Sequence, residues 1–113
     1  VRALAPNVIA AKGKIAIISS RMGSSTAAMG NSYAYRASKA AASNVAANLA
    51  AELKGQGVAV ASFHPGWVKT DMGGANAPLS PEASVRGLRA VVAQADRGET
   101  GKFFNYDGSE IPW

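Results

Sequence analysis

The sequence predicts an α/β fold, a parallel sheet with helices packed on it that makes up half of a doubly wound, three-layer arrangement. Three observations predict it. Two segments, 14–20 (KIAIISS), which contains a short unbroken apolar run rich in β-branched residues, and 58–63 (VAVASF), have the character of strands covered on both faces. Between them lies one long alanine-rich segment with no internal Gly or Pro. After the second run, Ser80-Pro81-Glu82 opens another helical pattern that leads to a third short run at 102–105. Strand, helix, strand, helix, strand joined by right-handed crossovers makes a parallel sheet.

Taken in order, residues 1–12 read as the end of a helix, although Pro6 argues against a regular interior there. The strand at 14–20 ends in Ser19-Ser20, and the small polar stretch 23–32 is a loop at its C-terminal end, where open α/β sheets place their sites. The helix near 34–54 is stopped by Gly55 and Gly57. Its small residues Ala40, Ala41, Ala47, Ala50 and Ala51 allow close approach of another element, first of all the sheet. Gly55-Gln56-Gly57 imitates a dinucleotide fingerprint but follows a helix and precedes a strand, so it is a turn. The strand at 58–63 delivers His64-Pro65-Gly66 to the same sheet edge as Ser20. Residues 71–79 follow directly and read as a lid. In the helix near 81–95, Ser80 is the N-cap, Pro81 sits in the first turn, and Val85, Leu88 and Val92 form an apolar stripe. Gly98–Gly101 is a turn, and the tail ends in Trp113, which either caps the pocket or covers the core.

Composition narrows the function. At 113 residues the chain is one domain at most. A hydrophobic content of 48% and a mean hydropathy of +0.01 fit a globular protein. No apolar run approaches the ~20 residues of a membrane span, and no secretory signal opens the chain, so no membrane partner is expected. The absence of cysteine removes disulfides and thiolate metal sites, no metal site is expected, and a cytoplasmic location suits it. A net charge of +5 comes from scattered basic residues without aromatic interleaving, which argues against nucleic acid.

The candidate chemistry lies in residues 18–39. Tyr35 and Lys39 are four apart, so on a helix they share one face. A free phenol titrates near ~10 and exchanges protons poorly at neutral pH. A neighbouring ammonium favours the phenolate and makes the tyrosine a usable general acid or base. Ser19 or Ser20, at a strand end, could hydrogen-bond the same substrate oxygen. Tyr33 and Tyr106 have Ala37 and Glu110 at the corresponding spacing and lack the partner. His64, the one histidine, has no metal-spaced partner and reads as strand-end packing. A hydrolase built on Ser20 and His64 fails for want of a nucleophile-elbow motif.

Ser20, Tyr35-x-x-x-Lys39 and Pro65-Gly66-Trp67-Val68-Lys69-Thr70, in this order, resemble the catalytic half of the short-chain dehydrogenase/reductase (SDR) family. The wording ISSRMGS, YAYRASKAA, HPGWVKTDM and IPW resembles the C-factor- and sniffer-like carbonyl reductases within it. The stretch from Ser20 to Tyr35 is longer than in many members, so Ser20 is the candidate and Ser19 the fallback. The resemblance implies an NAD(P)-dependent oxidoreductase that moves hydride between a nicotinamide cofactor and a small carbonyl or alcohol substrate. Tyr35 would be the general acid/base, Ser20 would hold the oxygen, and Lys39 would act on Tyr35 and on the cofactor ribose. Pro65, Gly66, Val68 and Thr70, with Tyr35 and Lys39, would meet a nicotinamide cofactor, NADP being favoured over NAD. The helix 34–54 would form a homo-oligomer interface.

The resemblance also implies that residues 1–113 are the catalytic part of one Rossmann-type domain whose N-terminal nucleotide-binding half is absent. No G-x-G-x-x-G loop follows a first strand, and the family's tetrad asparagine is expected upstream of Val1. Two other classes stay open: a catalytically inactive binding or signalling module, and a structural subunit that recruits a partner through the edge of its first strand.

Overall fold

In the computed structural model, which describes residues 1–96 and 98–113, one strand organises the rest. Strand β2 (Ala59–His64) lies between β1 (Lys14–Ile18) and β3 (Phe103–Asn105), and both neighbours run parallel to it. The register pairs Lys14 with Ala59 and Ile18 with Phe63 on one side, and Ser62 with Phe103 and His64 with Asn105 on the other. Every residue from Val58 to Phe63 is buried, as a run apolar on both faces requires.

The two faces of β2 meet different helices. Val58 and Val60 pack with Ala46, Ala50 and Leu53 of helix α2 (Tyr33–Leu53), joined by Val8 and Ile9 of the short helix α1 (Ala5–Ala10). Ala61 and Phe63, with Phe104, pack against Leu88, Val91 and Val92 of helix α3 (Pro81–Gln94). Successive strand residues alternate faces, so the result is three layers: α1 and α2, the sheet, then α3. The expected α/β class and parallel sheet are therefore the observed ones.

Local chemistry explains the boundaries. Pro6 stands in the first turn of α1, where a missing N–H costs nothing, so the helix begins there and does not run through it. The buried positions of α2, Ser43, Ala46, Ala50 and Leu53, recur at helical spacing. Of the five alanines expected to allow close approach, Ala50 is buried whereas Ala41 and Ala51 are exposed. The Ser80 hydroxyl accepts the Ala83 N–H at 3.2 Å and caps α3. Val85 departs from the expected stripe: it is 52% exposed and faces a cleft, and Val91 takes its place on the sheet. No helix among the described residues is long and apolar enough to cross a membrane.

Candidate active site

Strand β1 ends at Ile18, but the chain stays beside β2 for one more residue, because the Ser19 N–H donates to the Phe63 carbonyl at 2.8 Å. Both serines that follow are buried. The Ser19 hydroxyl donates to the Lys39 carbonyl at 2.8 Å and accepts from the Ser43 hydroxyl, also at 2.8 Å. Ser43 lies 3.1 Å from the Ser62 hydroxyl. Each hydroxyl has one proton. Ser43's goes to Ser19, so Ser62 is the donor to Ser43, and the bonds run one way: Ser62, Ser43, Ser19, Lys39 carbonyl. Ser19 is thereby engaged in holding α2. Both serines border the cleft, but the Ser20 oxygen only accepts, from the Met22 N–H at 3.2 Å at the start of a 3₁₀ turn, Arg21–Gly23, and its proton has no partner among the described residues.

That turn presses on the helix of the Tyr-x-x-x-Lys pair. A Cβ on Gly23 would stand 2.7 Å from the Lys39 carbonyl carbon and 2.8 Å from the Ala40 nitrogen, so only glycine fits. Tyr35 borders the cleft and is 36% exposed. The Lys39 ammonium lies 5.7 Å from the centre of its ring, on the same helix face, although Lys39 does not itself border the cleft. Tyr33 is 76% exposed and outside the cleft. Arg36 fixes the intervening loop, donating to the Met22, Ala27 and Asn31 carbonyls and to the Asn31 side chain.

From the end of β2 the chain turns at Gly66, whose φ of +86° favours glycine. A Cβ there would meet Leu79 at 2.7 Å and the Tyr106 ring at 3.0 Å. The expected lid is tied at its base: Val68 bridges to Leu79, and the Trp67 indole donates to the Gly73 carbonyl at 2.8 Å. The Thr70 hydroxyl accepts the Gly73 N–H at 3.2 Å and so shapes the same turn. His64 also borders the cleft. Its Nδ1 is buried without a partner among the described residues, as is Oδ1 of Asn105, its neighbour in the register. Burial, and then the charge of Arg21, hold the His64 imidazole below its ordinary 6.5.

These pieces enclose a cleft of about 1460 Å³, larger than the roughly 300–1,000 Å³ of an ordinary small-ligand site. Ser20, Tyr35, Pro65, Gly66, Val68 and Thr70 all border it. The tail closes one side, where the Ser24 hydroxyl donates to the Pro112 carbonyl, and Ile111 and Pro112 form wall. Trp113 packs on Phe103 with ring centres 5.7 Å apart and is not part of the wall, so it covers the sheet. Gly23, Arg36 and Ser43 were not singled out from the sequence.

The chain matches the short chain dehydrogenase family over residues 1–79 and belongs to that family. It is 43% identical to the C-signal protein of Myxococcus xanthus over 101 residues, which cover 88% of this chain and 61% of that protein. The carbonyl reductase Sniffer of D. melanogaster superposes with a TM-score of 0.85 at 38% identity, over 88% of this chain and 41% of that one. A short-chain dehydrogenase/reductase from Burkholderia multivorans with bound NADP gives 0.80 at 36% identity, over 90% and 45%. The chain thus spans about half the length of the relatives it matches.

Proposed function

We propose that this chain is the catalytic part of an NAD(P)-dependent short-chain reductase acting on a small carbonyl or alcohol compound in the cytoplasm. In this reading the nucleotide-binding half of the same Rossmann domain lies outside residues 1–113. The observation that carries the reading is the meeting of Ser20, Tyr35 and the Pro65–Thr70 turn around one cleft, with a cation against the tyrosine ring.

The wall fits a nicotinamide. Gly66 presents bare backbone to the cleft, and Pro65, Val68 and Thr70 continue that surface. When bound, the cofactor supplies the hydride, with NADP favoured by the NADP-bound relative. The protein's own residues handle the oxygen. Ser20 has its oxygen pinned by Met22 N–H and directs its proton at the carbonyl oxygen, which polarises it. Tyr35 gives that oxygen a proton as negative charge builds on it, and takes the proton back in the reverse direction. Lys39 sets a positive charge beside the ring that becomes negative when the proton leaves, and reaches the ribose. A second copy would pack on the outer face of α2, where Val45 is 51% exposed.

Tyr35→Phe in the full-length protein tests this. Turnover of a carbonyl substrate should fall by about 10²–10⁴-fold, the usual worth of a positioned acid. The fold should be unchanged by circular dichroism, because the ring is already at the surface. Near-normal turnover in that variant would remove Tyr35 from the mechanism. A wild type that binds NADPH but reduces no carbonyl would favour the inactive binding module.

A further inference from the structure

The charge around the cleft is one-sided. Arg21 and Arg36 border it, and no acidic residue among the described residues does. The Arg36 guanidinium is engaged by the carbonyls of its own loop. Arg21 forms no ion pair among the described residues, where the salt bridges belong to Lys102. Its side chain is exposed, takes part in no hydrogen bond among those residues, and stands directly after Ser20. Its charge also reaches His64 across the cleft wall.

Much of the rest of the wall is apolar and adaptable, and its polar groups are uncharged hydroxyls and His64. All three methionines of the chain border the cleft, Met29 at 75% and Met72 at 86% exposure, beside Trp67 at 58%. Apolar surface left open around a cleft marks the place where a ligand covers it. Unbranched thioethers fit ligands of varied outline. A guanidinium with free donors matches a carboxylate in bidentate fashion.

We infer that the substrate is amphiphilic: a carbonyl compound whose apolar body lies on the methionine and tryptophan wall and whose carboxylate pairs with Arg21. This rests on the reductase reading above, which puts the reacting oxygen at Ser20, next to Arg21. The anion served is therefore on the substrate, since a dinucleotide's phosphates bind at a glycine loop after a first strand.

The test compares 4-carboxybenzaldehyde with its methyl ester as substrates of the full-length protein and of Arg21→Gln, at saturating NADPH. Wild type should prefer the carboxylate by about five- to tenfold in kcat/KM, through KM, and lose that preference at high salt. In Arg21→Gln the ratio should fall to about one, and Arg21→Lys, a point charge without the fork, should keep part of it. Equal kcat/KM for the two in wild type, or a preference that survives Arg21→Gln, overturns the proposal. So does an unchanged ratio with a raised KM for NADPH, which would give Arg21 to the cofactor. Calorimetric binding of 4-propylbenzoate against 4-propylbenzamide needs no turnover and separates the two failures. A protein that reduces neither aldehyde but binds the benzoate through Arg21 keeps the anion site and loses the reductase reading. One that reduces both aldehydes alike and binds the two ligands equally keeps the reaction and loses the anion site.

Discussion

His64 shows how much a single side chain can be committed by its place in the sheet. As the last residue of β2 it borders the cleft, with Nδ1 buried and unpaired among the described residues. Burial first, and Arg21 second, disfavour the imidazolium in the folded chain. The unfolded chain therefore takes up the proton near 6.5, while the folded chain does so only at lower pH. Stability from this group is complete above pH 6.5 and is lost as pH falls below it through the folded value. Urea midpoints measured from pH 7.5 down to 5.0 should fall more steeply for wild type than for His64→Gln. Parallel slopes would mean that His64 does not contribute. At this scale the sequence separates what local geometry decides from what the fold decides. Tyr35 and Lys39 share a face because four residues make about one helical turn. Ser19 and Ser20 are alike in sequence and both border the cleft, and which of them keeps its proton for a ligand depends on the fold bringing the Lys39 carbonyl to Ser19.

Helix α2 is where the candidate site is held, and the serine chain beneath it has a direction that can be measured. Ser43→Ala removes the acceptor of the buried Ser62 proton and should cost about 1–3 kcal/mol, the penalty of an unpaired buried donor. Ser62→Ala leaves Ser43 still donating to Ser19 and should cost less, about 0.5–1.5 kcal/mol. The double variant should lie near Ser62→Ala, since no donor is left stranded, and a double-mutant cycle in urea reads that coupling. Strict additivity would contradict the direction assigned to the bonds. The helix itself was legible: its alanines and its glycine stop mark residues near 34–54, against Tyr33–Leu53 observed. So were strands β1 and β2. What escaped the sequence is contact between distant segments: Gly23 on Lys39, Arg36 on the Ala27 carbonyl, Val68 on Leu79, the tail on Ser24. Such pairings leave no period to read. The anchoring of the segment 71–79 is of this kind, since its Gly73 fits a turn tied back to Val68 and Thr70.

The whole molecule is a sheet with β1 at one edge, and the parity of its hydrogen bonds says which groups are free there. The Gly13 carbonyl and the Ser19 N–H both bond to β2, so the odd residues of β1 face β2 and the even ones, Lys14, Ala16 and Ile18, turn their N–H and C=O groups outward. Proline is tolerated at an edge position whose N–H points away from the sheet. In the 113-residue chain alone, Ala16→Pro should therefore change the unfolding midpoint little. It should also lower concentration-dependent association by light scattering, because an open edge with Ile18 51% exposed invites another strand. In a longer protein with a further strand seated on β1, the Ala16 N–H becomes a ladder donor. The same substitution would then break the sheet interior and lower stability sharply. A full-length protein that tolerates Ala16→Pro as well as the short chain does has no strand outside β1, and the proposal of an upstream nucleotide-binding half paired to this edge would fail.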